Sequence, residues 1–333
     1  MKLRKRKLAL FLASVLAMGI LATGCGAKSE GTDGEKKTAG KKQFLNITTG
    51  GTGGTYYPIG GAIATALTEN VENLKVDAQA GNASVANCNL ISTHETESAL
   101  VQNNVAYWAY NGKGSFEGKA VENLRGIASL YPEAIQLVAL KDSGITSIAD
   151  LKGKKVCVGE QGSGVDFDVR NVLEIYGLTY DDFDVDYLSF SEASQKLKDK
   201  QIDAAFLTAG FPTSSVIDVA LARDVVIVPF EEDKLSELIE KYPYYAKAVI
   251  PSGTYQGVDE DVVTATTMAM WVVDEEVDED LVYNITKALW ENVDVVENAH
   301  EKGKAVTLDT ALEGMGIPLH PGAEKFYKEK GLK

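Results

Sequence analysis

Thr48–Ala64 reads TTGGTGGTYYPIGGAIA, and the rest of the chain is best read outward from it. The short apolar run Phe44-Leu45-Asn46-Ile47 before it has the look of a strand. The residues after it, from Ile59 to Leu67, read as a helix with Pro58 in the first turn, where a missing N–H costs nothing. A strand, a glycine-dense turn and a helix start place several unpaired backbone N–H groups at one spot, and the helix dipole makes that spot attractive to an anion. Gly50, Gly51, Gly53 and Gly54 fill four of five positions. Glycine is entropically costly, so a bare turn is a poor reason for them, and close approach of a ligand to the backbone is a better one. The stretch is not a dinucleotide fingerprint, because Tyr56 stands where G-x-G-x-x-G requires its third glycine, and no G-K-[ST] follows for a P-loop.

The alternation begun here continues along the chain. Strands are predicted at 43–48, 74–80, 104–109, 124–130 and 135–141, with helices at 57–70 and 82–93. A second series follows Gly144. It has a short helix at 147–151, strands at 154–159, 183–188, 202–207 and 224–229, and helices at 165–176, 191–199 and 213–222. The long run VVTATTMAMWVVD at 262–274 reads as a strand returning to the first series, and helices are predicted at 278–291, 292–301 and 321–330. Alternation of this kind means an α/β fold with largely parallel strands and ligands at their carboxyl ends. Both series open on a strand, a glycine-rich turn and a helix, which suggests two similar lobes facing each other. The boundaries read from the sequence are 43–140 with 250–333 for lobe I, and 141–249 for lobe II.

At the N-terminus, residues 1–24 carry five basic residues, no acidic ones, and an apolar run from Leu8 to Ala22 that is short for a membrane span. They read as a secretory signal. The run ends in Leu21-Ala22-Thr23-Gly24-Cys25, which resembles a lipobox, with Cys25 as the lipidated residue; the other reading is ordinary cleavage nearby, leaving a free thiol. Residues 25–42 have no large apolar side chain and read as a flexible tether. The formal net charge is −15 over 333 residues, and −20 without the leader, so no basic patch for nucleic acid is visible. Such a charge favours a soluble monomer. Cys88 and Cys157 each sit in an apolar segment and read as buried free thiols.

Candidate chemistry is sparse. His94, His300 and His320 have no metal-ligand spacing, and neither a Ser/His/Asp nor a Cys/His pattern is legible. No cofactor, metal or catalytic residue is therefore expected. The second glycine turn, Gly159 to Asp166, is not a nucleophile elbow, since Ser163 lies directly between two glycines. Asp166 and Asp168 fall in a first helical turn, where they either complement the dipole or, for Asp166, face a ligand ammonium. Thr208-Ala209-Gly210-Phe211-Pro212 follows a strand and is either a plain loop or a third contact point. Tyr107, Trp108, Tyr110 and Asn111 form an aromatic cluster, of which Tyr110 and Asn111 are placed at a strand end that borders a pocket; Tyr131, Pro132 and Glu133 sit at a comparable strand end.

Taken together, TGGTGGTYYPIGGAIA, VAYWAYNG, GEQGSGVDFDVRNVL, QIDAAFLTAGFPTSSV and LHPGAEKFYKEKG resemble the TAXI family of substrate-binding receptors. These serve a class of TRAP transporters, and the resemblance spans residues 43–333. It implies a periplasmic-binding-protein-like fold, two α/β lobes joined by two crossover strands with a ligand cleft between them. It implies capture of a small carboxylate or amino acid, glutamate-like or a 2-oxoacid, and delivery to TRAP membrane permease subunits. The positions it marks as ligand-binding are Gly53, Gly54, Thr55 and Tyr56 in the first turn, where the Thr52 hydroxyl is read from the turn itself as a further donor, with Asn82, Ser84 and Tyr110 beside it. In the second lobe they are Gln161, Gly162, Ser163, Gly164, Val165, Thr208, Ala209 and Gly210. The expected location is extracytoplasmic, lipid-anchored at the outer face of the cell membrane or periplasmic. Two other readings stand beside this one: a receptor that signals to a membrane sensor kinase, and an exported α/β enzyme.

Overall fold

A ten-stranded mixed sheet runs through residues 42–333, the part of the chain that the computed structural model describes. The expectations for the leader, Cys25 and most of the tether lie outside the described residues. In chain order, β1 (Gln43–Thr48), α1 (Tyr56–Asn70), β2 (Leu74–Gln79), α2 (Ser84–Ser92), β3 (Ser98–Gln102) and α3 (Asn103–Tyr110) lead to the long β4 (Leu124–Leu140). Then come β5 (Lys155–Cys157), α4 (Gly164–Ile175), β6 (Asp184–Asp186), α5 (Phe190–Lys198) and β7 (Ala204–Ala209). After them lie α6 (Ser214–Ala222), β8 (Val225–Val228), α7 (Glu232–Lys241) and β9 (Ala246–Ile250). A second long strand, β10 (Val262–Asp274), precedes α8 (Glu279–Glu291), α9 (Val293–Ala299) and α10 (Pro321–Glu329).

The strand order is β2-β1-β3-β10-β4-β7-β5-β6, with β8 also on β4 and β9 also on β10. β1 is parallel to β2 and β3, and β5 is parallel to β6 and β7. β4 and β10 run antiparallel to each other and each serves both ends of the sheet. β10 pairs with β9 over Val262–Thr266 and with β3 over Ala269–Val273. β4 pairs with β10 from Leu124 to Ala134 and with β7 from Ala134 to Ala139. Both strands are almost wholly buried, as their near-continuous apolar sequences require.

Pro132 explains why the sequence suggests two strands, 124–130 and 135–141, where the structure has one. Proline lacks a donor and argues against a central strand. Here it sits where β4 changes neighbours, opposite Met268, and the ladder tolerates it. The expected strand at 104–109 is corrected more sharply: those residues are α3, and the strand is β3 just before it. The alternation in NVAYWA is short enough to fit either element, and burial of Asn103, Val105, Ala106 and Ala109 against the sheet decides for a helix. α7 and β9 were not anticipated, although Leu235 and Leu238 of α7 carry a helical spacing and are its buried face.

Two sets of helices cover the sheet. Ile59, Ile63 and Leu67, spaced by four, turn one face of α1 onto Leu45 and Ile47 of β1, in a core that includes Trp271, Leu289 and Phe326. Gly60 lets α1 pack this closely, since a Cβ there would lie 2.6 Å from the Thr49 methyl. At the other end, Val169, Val172 and Leu173 of α4 pack with Phe206 of β7 and Leu235 of α7. Cys88 and Cys157 are free and buried, and burial pushes their thiols up to about 12 and about 11.

Candidate functional site

Three helix starts converge on one cavity. The turn after β1 delivers the start of α1, α2 begins beside it, and the turn after β5 delivers the start of α4. Thr55 and Ala83, the N-cap residues of α1 and α2, make no side-chain cap. The amides of Tyr56, Ser84, Gly164 and Val165 accordingly have no acceptor among the described residues. All four residues line the cavity. Ala83 holds its own backbone at φ 60° and ψ −150°, a region costly for any residue with a Cβ. The space between these residues, part of it open to solvent, amounts to about 500 Å³.

The floor of the cavity is Glu133, the residue after Pro132 on β4. It is 2% exposed, and the Tyr56 hydroxyl donates to its Oε2 at 2.8 Å. Burial drives the Glu133 carboxyl well above the usual carboxylate range; the Tyr56 hydrogen bond pulls the other way and the charge of Asp168 adds to the rise. Asp168, on α4, is wholly buried and is pushed up to about 6 by burial. Hydrogen bonds from Tyr245 at 2.6 Å and from Gln102 and Asn104 at 2.8 Å each hold that rise in check. The Thr208 hydroxyl lies close to Asp168 but makes no well-formed hydrogen bond.

Residues from the two ends of the sheet meet across this cavity. The Ser215 hydroxyl donates to the Gly53 carbonyl at 2.8 Å and the Thr55 hydroxyl to the Gly210 carbonyl at 3.0 Å. The Ala86 amide donates to the Gly162 carbonyl at 3.1 Å. With the Ser215 amide on the same Gly53 carbonyl at 3.4 Å, the Gln102 and Asn104 bonds to Asp168, and the Asn104 side-chain amide on the Tyr245 hydroxyl at 3.5 Å, seven hydrogen bonds bridge the cleft among the described residues. At about 1 kcal/mol net each they are worth roughly 7 kcal/mol, of the order of the roughly 8 kcal/mol that a micromolar ligand supplies.

Residues 47–331 match the model of the NMT1-like family. The chain belongs to the NMT1-like family. The structure of PhnD1 from Prochlorococcus marinus in complex with methylphosphonate is similar at TM-score 0.53 and 11% identity, over 87% of this chain and 99% of that one. A binding protein component of an ABC phosphonate transporter from Pseudomonas aeruginosa is similar at TM-score 0.50 and 12% identity, over 79% of each chain. These likenesses are of fold: the NMT1-like chain has the two-lobed α/β architecture of periplasmic binding proteins.

In this NMT1-like chain, Gly54, Thr55, Tyr56, Ser84, Ser163, Gly164, Val165, Thr208 and Ala209 line the cavity, as the sequence places them. Gly53, Gly162 and Gly210 instead bridge the walls through their carbonyls. Thr52, Asn82 and Gln161 are exposed at the rim. Tyr110 does not reach the cavity; it closes α3 and lies 5.8 Å from the Arg125 guanidinium, a consequence of the helix replacing the expected strand. Asp166 does not line the cavity either; its carboxylate is joined to Arg170 at 3.0 Å and Tyr180 at 2.6 Å. Sequence reasoning passed over Gln102, Glu160 and Phe190 as wall residues, and named Glu133 only as a strand end. For Gln102 the signal was absent, because its strand was misplaced.

Proposed function

We propose that the protein is an extracytoplasmic solute-binding receptor that takes a small carboxylate or amino acid into this cavity and hands it to a membrane permease of the TRAP type. The observation that carries the reading is a small cavity, lined by three helix starts with unpaired amides, whose two walls are joined by hydrogen bonds. Unpaired N–H groups at helix starts suit a carboxylate without any basic side chain. The action is binding and closure, with no bond chemistry. The lobes divide within β4 and β10, near Pro132–Glu133 and Thr267–Met268, where the strands change neighbours; these two places are the hinge. The lipobox-like Cys25 and the tether hold the receptor at the outer face of the membrane.

Trp108 of α3 meets Phe167 of α4 edge-on, with ring centroids 4.7 Å apart, across the division between the lobes. Its fluorescence therefore reports closure. Titration with a bound solute should change the emission of the wild type and leave that of Trp108→Phe unchanged. Saturable binding with no change in either protein contradicts closure about these strands.

A further inference from the structure

We infer that the ligand of this cavity carries a protonated amine and that Glu133 is the residue that receives it. This rests on the receptor reading and narrows it. Glu133 is 2% exposed, yet only one of its oxygens is used: Oε2 accepts from Tyr56, while Oε1 has no partner among the described residues. That Oε1 is also not one of the fully enclosed orphan atoms, so it reaches open space, and the space it borders is the cavity. A buried carboxyl group calls for a counter-charge or a donor. None of the residues that line the cavity is Lys, Arg or His.

The neighbours of Glu133 point the same way. Tyr56 of α1 and Tyr131 of β4 are neutral phenols, and Asp168 of α4 is a second acid close enough to raise the Glu133 carboxyl. Glu160 stands on the cavity wall as a third acid. Gln102 spends its amide N–H on Asp168 at 2.8 Å, which fixes the orientation of the group and leaves the buried Oε1 without a donor. Burial raises the Glu133 and Asp168 carboxyls while no cationic side chain faces them, so an ammonium brought by the ligand would hold Glu133 ionised, whereas the helix starts above it offer N–H donors. A zwitterion satisfies both, its ammonium on Glu133 and its carboxylate at the amides of α1, α2 and α4. A 2-oxoacid or a second carboxylate brings no cation to the floor, so the three acids there would stay without a counter-charge.

The test is calorimetric titration of the purified protein with matched pairs, each an α-amino acid and the 2-oxoacid of the same side chain, for wild type and Glu133→Gln. Amino acids should bind the wild type about 10- to 100-fold tighter than their 2-oxo partners, and Glu133→Gln should erase most of that ratio. Tyr56→Phe, which leaves the carboxyl in place, should retain the preference for the amine. Equal or tighter binding of the 2-oxoacids overturns the inference and leaves the receptor reading intact. Failure of every pair to bind the wild type overturns both. Should Glu133→Gln not fold, Glu133→Asp, which withdraws the acid by one methylene, should narrow the ratio, and an unchanged ratio in it overturns the assignment of Glu133.

Discussion

The side-chain amide of Gln102 donates to Asp168 at 2.8 Å, tying the end of β3 to the first turns of α4 across the cleft. Each residue is nearly or wholly buried, and the acid is reached by Asn104 and Tyr245 as well. Asp168 is thus the point where one wall of the cavity is latched to the other.

A pH dependence follows from that latch. Burial pushes the Asp168 carboxyl up to about 6, and burial drives Glu133 upward too. Between about pH 4 and pH 6 the folded protein therefore binds more protons than the unfolded chain, and stability falls as pH rises through this window. The melting temperature should climb as pH is lowered from 7 to 5, and Asp168→Asn should flatten the climb. An unchanged slope in Asp168→Asn would show that the high net negative charge, rather than this acid, sets the pH response.

Gly164 provides a steric test. A Cβ at that position would lie 1.7 Å from Gln102 Oε1 and 2.9 Å from the Ser84 hydroxyl, both on the opposite wall. Gly164→Ala should weaken ligand binding at least 100-fold by holding the walls apart, while the melting temperature of the ligand-free protein drops by no more than a few degrees. Gly162 makes a useful contrast: its φ is +76° but nothing lies within 4 Å of a Cβ, so Gly162→Ala strains the backbone and blocks nothing. Equal losses of affinity in the two variants would argue against closure as the reason.

Lys302 supplies a second clasp. Its ammonium lies 3.3 Å from the centre of the Phe211 ring, and its side chain covers Gly210 so closely that a Cβ there would be 2.6 Å from Lys302 Cγ. Partly desolvated cation–π contacts are worth about 0.5–2 kcal/mol. Lys302→Ala should raise the ligand dissociation rate by a few-fold to about 30-fold with little effect on association, measurable by stopped-flow fluorescence. A change confined to association would place Lys302 in encounter rather than in closure.

Much of this site can be read from the chain, because glycine-dense turns followed by helix starts advertise themselves: Gly54, Ser163 and Gly164 stand where such turns put them. The long strand at 262–274 is equally plain, its pattern unbroken by any turn residue. Glu133 is harder. It is one of several polar residues in a mostly apolar strand, next to a proline that reads as a break, and only the pairing of β4 with both β10 and β7 brings it under the three helix starts. Gln102 and Tyr110 failed for one reason: a strand placed a few residues late at 104–109 moved both to the wrong end of their element.

The most direct test of a small-solute receptor is thermal unfolding of the purified protein, refolded from denaturant to strip carried ligand, against amino acids, monocarboxylates and dicarboxylates. A ligand at 100 times its dissociation constant adds about 2.7 kcal/mol, a rise of several degrees for a chain of this size. The account predicts such a rise with one class of small carboxylate-bearing solute and none for Gly164→Ala. A flat response across the panel, or an equal rise in Gly164→Ala, would contradict it.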